Sequence, residues 1–154
     1  MSWSKADATS PPHLYAALER YLTRMALARG DASEAVALAR RGLARLDASS
    51  RPANEMMPAL IVLAEAQNSH GEFVAARATA QRALKMATER LGELEHSYNA
   101  GQAHGELGVA LAGLGDLQSG RSELEQALTH LRSSVGPDAP YTRRALAQLQ
   151  RLGS

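Results

Sequence analysis

Histidine and acidic residues lie close together in one segment of the sequence, and side chains of these types can bind metal ions. The segment "ELEHSYNAGQAH" contains His96 and His104, with Glu95 and Glu106 nearby. Two histidines that bind one metal from a single helix are usually three or four residues apart. His96 and His104 are eight residues apart and the chain has no cysteine, so we expect no metal site.

A second segment, "GELGVALAGLG" at residues 105–115, has the glycine content of a phosphate-binding loop. It lacks the Gly-Lys-Ser/Thr ending of such loops, and it follows a predicted helix where a phosphate loop would follow a strand. Serine and aspartate residues occur mainly where helices are predicted to start, and N-capping explains them there without a catalytic triad. The sequence therefore predicts neither an enzyme nor a bound cofactor.

Composition excludes several classes of protein. The chain has 154 residues, of which 45% are hydrophobic, and a formal net charge of +1. The balanced charge predicts no nucleic-acid partner, and no run of about 20 apolar residues predicts a membrane span. The first residues, MSWSKADATSPP, lack the apolar core of a secretory signal. We expect residues 1–10 to be a disordered leader, residues 11–154 to form one domain, and the location to be cytoplasmic.

The rest of the sequence has the periodicity of successive amphipathic helices. Apolar residues recur at three- and four-residue steps, first at Leu14, Ala17, Tyr21 and Met25, and again around Leu60 and Leu107. No segment alternates as a half-buried strand would. Helix ends are predicted at the glycines that interrupt the pattern, each followed by a residue suited to cap the next helix.

The glycines are spaced regularly and so predict a repeated unit. Gly30, Gly71 and Gly115 are 41 and 44 residues apart, and Gly92 and Gly136 each follow the preceding turn glycine by 21 residues. The turn glycines and the loop glycines therefore follow the same repeat. Together they predict a helix hairpin that occurs three times, over residues 12–50, 53–92 and 95–135.

The positions of small residues distinguish between the candidate families of helical repeats, which include HEAT and armadillo repeats. The pairs Leu63-Ala64 and Leu107-Gly108, with small residues at positions 35, 76 and 120, resemble the tetratricopeptide repeat (TPR) family. "HGEFVAARATAQRALKM" and "VGPDAPYTRRAL" resemble the long variant of kinesin light chains and bacterial signalling proteins. The resemblance implies an all-α, right-handed solenoid. The first unit departs from it at Glu19 and Thr23.

The segment at residues 138–152 is predicted to be a capping helix. The last unit of a solenoid must cover its apolar side, and Ala145, Leu146, Leu149 and Leu152 supply an apolar stripe. We expect Arg143, Arg144 and Arg151 to face solvent or the groove. The alternative is that the array continues in a longer protein.

The resemblance also implies a function, which is to bind a peptide or protein segment in a concave groove. Gly105 could leave room for a ligand side chain there, or it could serve close packing with a neighbouring helix. We expect acidic groups of the partner to meet Arg20, Arg24 and Arg144. The groove positions carried over from the family are Arg20, Arg24, Leu27, Ile61, Glu65, Asn68, Gln102, Gly105, Val109, Ala112, Arg144 and Arg151.

Two classes of function remain open. The first is an interaction scaffold without catalytic activity, free-standing or as the adaptor or sensor part of a larger bacterial signalling protein. The second is a structural module that forms homo-oligomers through the ends of the solenoid, with Trp3, Tyr15 and Tyr21 as contacts.

Overall fold

The chain folds into helices joined in hairpins. The computed structural model describes residues 12–47, 53–91 and 97–153, and within these ranges there are seven α-helices and no strand. The predicted leader at residues 1–10 and the loop glycine Gly92 lie outside the described residues. The helices are α1 (Pro12–Ala28), α2 (Ala32–Asp47), α3 (Ala53–Ser69), α4 (Phe73–Leu91), α5 (Tyr98–Gly113), α6 (Leu117–Ser134) and α7 (Pro140–Gly153). The predicted all-α solenoid of three hairpins and a final helix is confirmed.

The turns within the hairpins are built on glycine, as the spacing predicts. Gly30, Gly71 and Gly115 have φ angles of 79°, 79° and 92°, a left-handed conformation that costs other residues energy. At the second turn the Gly71 amide donates to Asn68 O at 3.1 Å, and the Glu72 amide donates to Gln67 O at 2.8 Å. These bonds satisfy carbonyls at the end of α3 and so fix where the chain reverses.

Small residues allow the two helices of a hairpin to approach closely. Ala35 and Ala76 are fully buried, and Gly108 and Gly120 face each other between α5 and α6. A Cβ atom built on Gly108 would lie 2.9 Å from Gly120 O, and one built on Gly120 would lie 2.9 Å from Gly108 O. The small residues that carry the family resemblance therefore set the distance between these backbones.

The odd-numbered helices lie on the inner side of the solenoid. Each of α1, α3 and α5 contacts the next odd-numbered helix, whereas α2, α4 and α6 make no contact with one another over the described ranges. Because elements on the inside of a curve are the closer ones, α1, α3, α5 and α7 line the concave face. None of the described helices is both long and apolar enough to cross a membrane.

Two predicted apolar stripes are wrong in part. Leu14, Tyr21 and Met25 are exposed, and α1 instead buries Ala16, Glu19, Thr23 and Ala26. This burial also explains both departures in the first unit. Arg45 Nε contacts Glu19 Oε1 at 3.1 Å, and Thr23 Oγ1 donates to Glu19 O at 2.6 Å.

In α7 the buried side is shifted by one residue from the predicted stripe. Ala145 is buried, and Leu149 and Leu152 pack against the same cluster, but Leu146 is 36% exposed. Thr142 is 2% exposed and its Oγ1 donates to Gly136 O at 2.7 Å. Residues three and four apart share a helix face, so Thr142 continues the stripe of Ala145 and Leu149, while Leu146 turns towards solvent.

Candidate functional site

Four charged side chains meet on the concave face and neutralise one another; we call Arg24, Glu65, Glu106 and Arg144 the ionic cluster. Arg144 binds Glu65 through Nη1, and its Nη2 lies 3.0 Å from Glu106 Oε1. Arg24 Nη1 lies 3.4 Å from Glu65 Oε2. Each of the four odd-numbered helices contributes one member. The cluster therefore joins α1 and α7 to the helices between them.

Aromatic rings enclose one side of the ionic cluster. The guanidinium of Arg24 lies 5.2 Å from the centre of the Tyr141 ring, a distance at which a cation is attracted by the ring face. The Tyr98 ring meets Tyr141 edge-on, with 5.9 Å between centroids. Burial raises the pKa of Tyr98 above its usual value, with Arg24 acting in the opposite direction. This part of the concave face is filled by the chain's own side chains.

Burial determines the protonation behaviour of the ionic cluster. Glu106 is 5% exposed, and this burial raises its pKa, although Arg144 and a hydrogen bond from Asn68 act in the opposite direction. The pKa of Arg144 would be lowered by its own burial, but the carboxylates of Glu106 and Glu65 outweigh that effect and raise it. Arg144 therefore stays charged, and Glu106 accepts a proton more readily than an ordinary exposed glutamate does.

The structure places several predicted groove residues away from any open groove. Arg20 Nη1 lies 2.6 Å from Glu55 Oε2, so this arginine is neutralised as Arg24 and Arg144 are. Ile61, a predicted groove position, is 2% exposed in the core. Gln102 is 7% exposed, and Leu27 packs on the cluster of Ala26 and Val36. The arginines expected to meet acidic groups of a partner already contact carboxylates of the same chain.

Gly105 lies beside a small void and is not required for close packing. A Cβ atom added to Gly105 would meet the Ala127 Cβ at 3.7 Å, an ordinary contact with α6. The void between α5, α6 and α7 has a volume of about 20 Å³ and is lined by Gly105, Tyr141 and Ala145 among others. This volume is close to that of one water molecule. It is too small for the ligand side chain that the sequence suggested.

An open cavity lies beyond the ionic cluster, where α3, α5 and α7 end. Its volume is about 560 Å³, within the range of small-ligand and side-chain pockets. Three predicted groove residues, Asn68, Val109 and Ala112, line it together with the predicted arginines of α7. The full lining is Asn68, Ser69, Phe73, Val109, Ala112, Gly113, Leu124, Arg144, Gln148, Arg151 and Leu152.

Asn68 connects the ionic cluster to the cavity. Its Nδ2 donates to Glu106 Oε2 and to Glu106 O, both at 2.9 Å. Its Oδ1 is buried and accepts no hydrogen bond from any group in the described part of the chain. The Asn68 side chain is 7% exposed and is one of the residues that line the cavity, whereas its Oδ1 atom is itself shielded from solvent. A buried acceptor without a donor is costly.

Sequence reasoning missed Ser69, Phe73, Gly113 and Gln148 in the cavity lining. Ser69 and Gly113 each lie two residues before a turn glycine, and Phe73 lies two residues after one. Phe73 packs so closely on Gly113 that an added Cβ would lie 2.5 Å from its ring. The position relative to Gly71 and Gly115 is the sequence signal that would have found Ser69, Phe73 and Gly113.

The predicted absence of a metal site concerned the histidines of α5 and the preceding loop. His104 Nδ1 lies 2.6 Å from Glu123 Oε2, and its ring stacks on His130 at 5.4 Å. His130 Nδ1 accepts a hydrogen bond from the Ser97 amide at 3.2 Å. Over the residues that the structure describes, no group of three His, Cys, Asp or Glu side chains is arranged to hold a metal ion. His96 lies outside these residues.

Comparisons with known proteins bear on the fold. No family model and no curated protein matches the chain. Among solved structures, a Podosopora anserina kinesin light chain with nearly identical TPR-like repeats gives a TM-score of 0.75 at 19% identity, over 94% of this chain and 67% of that one. A TPR-like protein of Chlorobium tepidum gives 0.71 at 23% identity, over 94% and 100%. The apo form of RapI gives 0.70 at 14%, over 97% and 40%. The chain therefore has the fold of TPR-like helical repeat solenoids, as the sequence predicts.

Proposed function

We propose that the protein is an interaction scaffold without catalytic activity and that it binds an extended segment of a protein partner in the cavity at the ends of α3, α5 and α7. The observation that carries this proposal is the cavity of about 560 Å³, which is lined by Asn68 and by apolar residues of α4, α5 and α7. A peptide backbone supplies an N–H group from which Asn68 Oδ1, which has no donor among the described residues, can accept a hydrogen bond once the side chain turns towards the cavity.

The other lining residues suggest which side chains the segment carries. Phe73, Val109 and Leu152 form an apolar part of the wall, suited to an aliphatic or aromatic side chain of the partner. Arg151 and Gln148 lie on the same wall and offer hydrogen-bond donors for backbone carbonyls of the segment. The segment that fits is therefore extended, with one apolar side chain pointing into the cavity.

The arginines of the ionic cluster have a different role in this proposal. They hold the odd-numbered helices together and are already paired, so they attract acidic partners weakly. Of the predicted groove residues, we retain Asn68, Val109, Ala112 and Arg151 as contacts, while Arg144 stays with the ionic cluster. Binding then depends on salt only slightly, because few free charges take part.

Selection of peptides from a random display library tests the proposal. Ser69 is exposed at the cavity, so Ser69→Trp fills its entrance without disturbing the core. We expect the selected peptides to bind the parent protein and to lose at least about tenfold in affinity for Ser69→Trp, roughly 1.4 kcal/mol. Gln81→Trp, exposed on α4 and absent from the cavity lining, is the matched control.

Two results would count against the proposal. One is the recovery of no binding peptide by a folded protein. The other is the reverse pattern, in which Gln81→Trp or Arg82→Glu on α4 abolishes binding and Ser69→Trp leaves it unchanged. A cytoplasmic location and membership of a larger signalling protein are predictions from the sequence alone, and localisation of the tagged protein in its native cell tests the first.

A further inference from the structure

The only phenylalanine of the chain, Phe73, reaches the cavity from the outer layer of helices. It is the first residue of α4, an even-numbered helix, yet it lines the cavity at the ends of α3, α5 and α7. It follows Gly71 by two residues, and the left-handed turn at Gly71 reverses the chain between α3 and α4. The turn therefore brings an aromatic residue of the outer layer to the concave face.

The ring of Phe73 is held against Gly113, the last residue of α5. A Cβ atom added to Gly113 would lie 2.5 Å from both Cδ1 and Cγ of Phe73, and 2.6 Å from Cε1. Atoms in packed interiors do not approach one another so closely, so any side chain at position 113 would displace the ring. Gly113 has the ordinary backbone of a helix, and the ring, rather than the turn, is the reason for a glycine there.

The matching residues of the other hairpins differ from Phe73 in size or in position. Ala32 and Leu117 also lie two residues after a turn glycine. Ala32 carries only a methyl group, and Leu117 is 53% exposed and outside the cavity lining. Repeat position alone therefore does not place a ring at the cavity, and the pairing of Phe73 with Gly113 does.

We infer that Phe73, positioned by Gly113, determines which apolar side chain of the bound segment the cavity prefers. The inference rests on the proposed function and adds the residue that sets its specificity. Phe73 belongs to the same apolar part of the wall as Val109 and Leu152, so a side chain that enters the cavity packs beside its ring. Shortening Phe73 leaves unfilled space next to a small ligand side chain, and a larger one can fill that space.

A change of preference distinguishes this role from a structural one. Specificity is a difference between two affinities, so a residue that contacts the ligand side chain changes their ratio. A residue that only supports the fold would lower both affinities alike.

Two versions of a peptide selected on the parent protein, with leucine or tryptophan at its apolar position, test the inference. We expect Phe73→Ala to shift the ratio of their dissociation constants at least about tenfold towards the tryptophan version. Phe73→Leu, which keeps an apolar side chain of intermediate size, should shift the ratio in the same direction by less. Val74→Ala, at the next residue of α4, is the matched control, because Val74 is 64% exposed and outside the cavity lining. Circular dichroism of each variant confirms that it stays helical.

Fluorine NMR gives a second readout, because the chain has one phenylalanine. Protein that incorporates para-fluorophenylalanine shows a single signal, which comes from Phe73. We expect Gly113→Ala to move this signal in the absence of peptide, since the added Cβ displaces the ring. In the parent protein, addition of the peptide should also move it.

Failure of the inference differs from failure of the proposed function. A folded parent protein that yields no binding peptide overturns the proposed function and this inference with it. Peptides that bind, with an unchanged ratio or an equal loss of affinity for both versions in Phe73→Ala, overturn the inference alone. A fluorine signal that neither Gly113→Ala nor the peptide moves also overturns it, because the ring would then contact neither Gly113 nor the ligand.

Discussion

The two halves of the concave face are built in opposite ways. In the closed half, the ionic cluster together with Tyr98 and Tyr141 fills the space between α1 and α7. In the open half, formed by the C-terminal ends of α3, α5 and α7, a cavity of about 560 Å³ remains. One face therefore holds the solenoid in its curved shape at one end and offers space for a ligand at the other.

The difference shows that repeat position alone does not determine which residues are free to bind. Arg24 and Asn68 both project from odd-numbered helices, one turn of helix apart in their units. Arg24 is occupied by Glu65 and Tyr141, whereas Asn68 keeps one buried oxygen without a donor. Whether a residue on the concave face is available to a partner depends on its contacts with residues of other repeat units.

Loss of Arg144 should have the largest effect, because it breaks the closed half. Arg144→Met leaves the nearly buried carboxylates of Glu65 and Glu106 without their shared cation. Removing one partner of a buried ion pair is strongly destabilising. We expect a loss of about 2–3 kcal/mol after discounting for the partial exposure of Arg144, and a melting temperature lower by roughly 5–10 °C. Arg143→Met, exposed on the same helix, should change the melting temperature little. Equal melting temperatures for the two variants would contradict a structural role for the cluster.

Two glycines of α5 differ in how much space surrounds them: Gly108 lies against α6 without room for a side chain, whereas Gly105 has room for one. A Cβ on Gly108 would lie 2.8 Å from Leu124 Cγ and 2.9 Å from Gly120 O, so Gly108→Ala should cost about 1–3 kcal/mol. Gly105→Ala meets only an ordinary contact and should stabilise the protein by about 0.5–1 kcal/mol through helix propensity. Chemical denaturation of both variants measures the difference. A stabilising Gly108→Ala would show that α5 and α6 are not held together as described.

The smallest expected effect is a pH dependence that belongs to Glu106. Its pKa is raised in the folded protein, so the folded state binds this proton more tightly than the unfolded state does. Its contribution to stability is fully present below the ordinary glutamate pKa and is lost as the pH rises through the raised value, by about 1.4 kcal/mol for each unit of the shift. The melting-temperature difference between the parent and Glu106→Gln should therefore change with pH across this window. A pH-independent difference would mean that Glu106 is ionised throughout.

Much of the fold can be predicted from the sequence, because the turns and the packing of each hairpin depend on local sequence features. Gly30, Gly71 and Gly115 adopt the left-handed turns that their spacing predicts, and small residues at positions 108 and 120 allow the hairpin to close. These features depend on backbone conformation and on residues close in sequence or in matching positions of the repeat.

The candidate site was predictable only in part, because it depends on how strongly the solenoid curves. The partners of Arg144 are 79 and 38 residues away, in α3 and α5, and no periodicity predicts such pairing. The exposed stripe on α1 was missed for a related reason. An amphipathic pattern predicts an apolar face, but it does not show whether another element covers that face.

The most direct test of a divided concave face is to map a bound peptide by NMR. Amide chemical shifts of the isotope-labelled protein are recorded while a peptide selected by display is added. The largest changes are expected at residues 68–73, 109–113 and 148–152, with little change at Tyr98, Gln102 or Arg20. Changes centred on those three residues, with the cavity unaffected, would show that the ligand displaces the ionic cluster and would contradict the assignment of a closed and an open half.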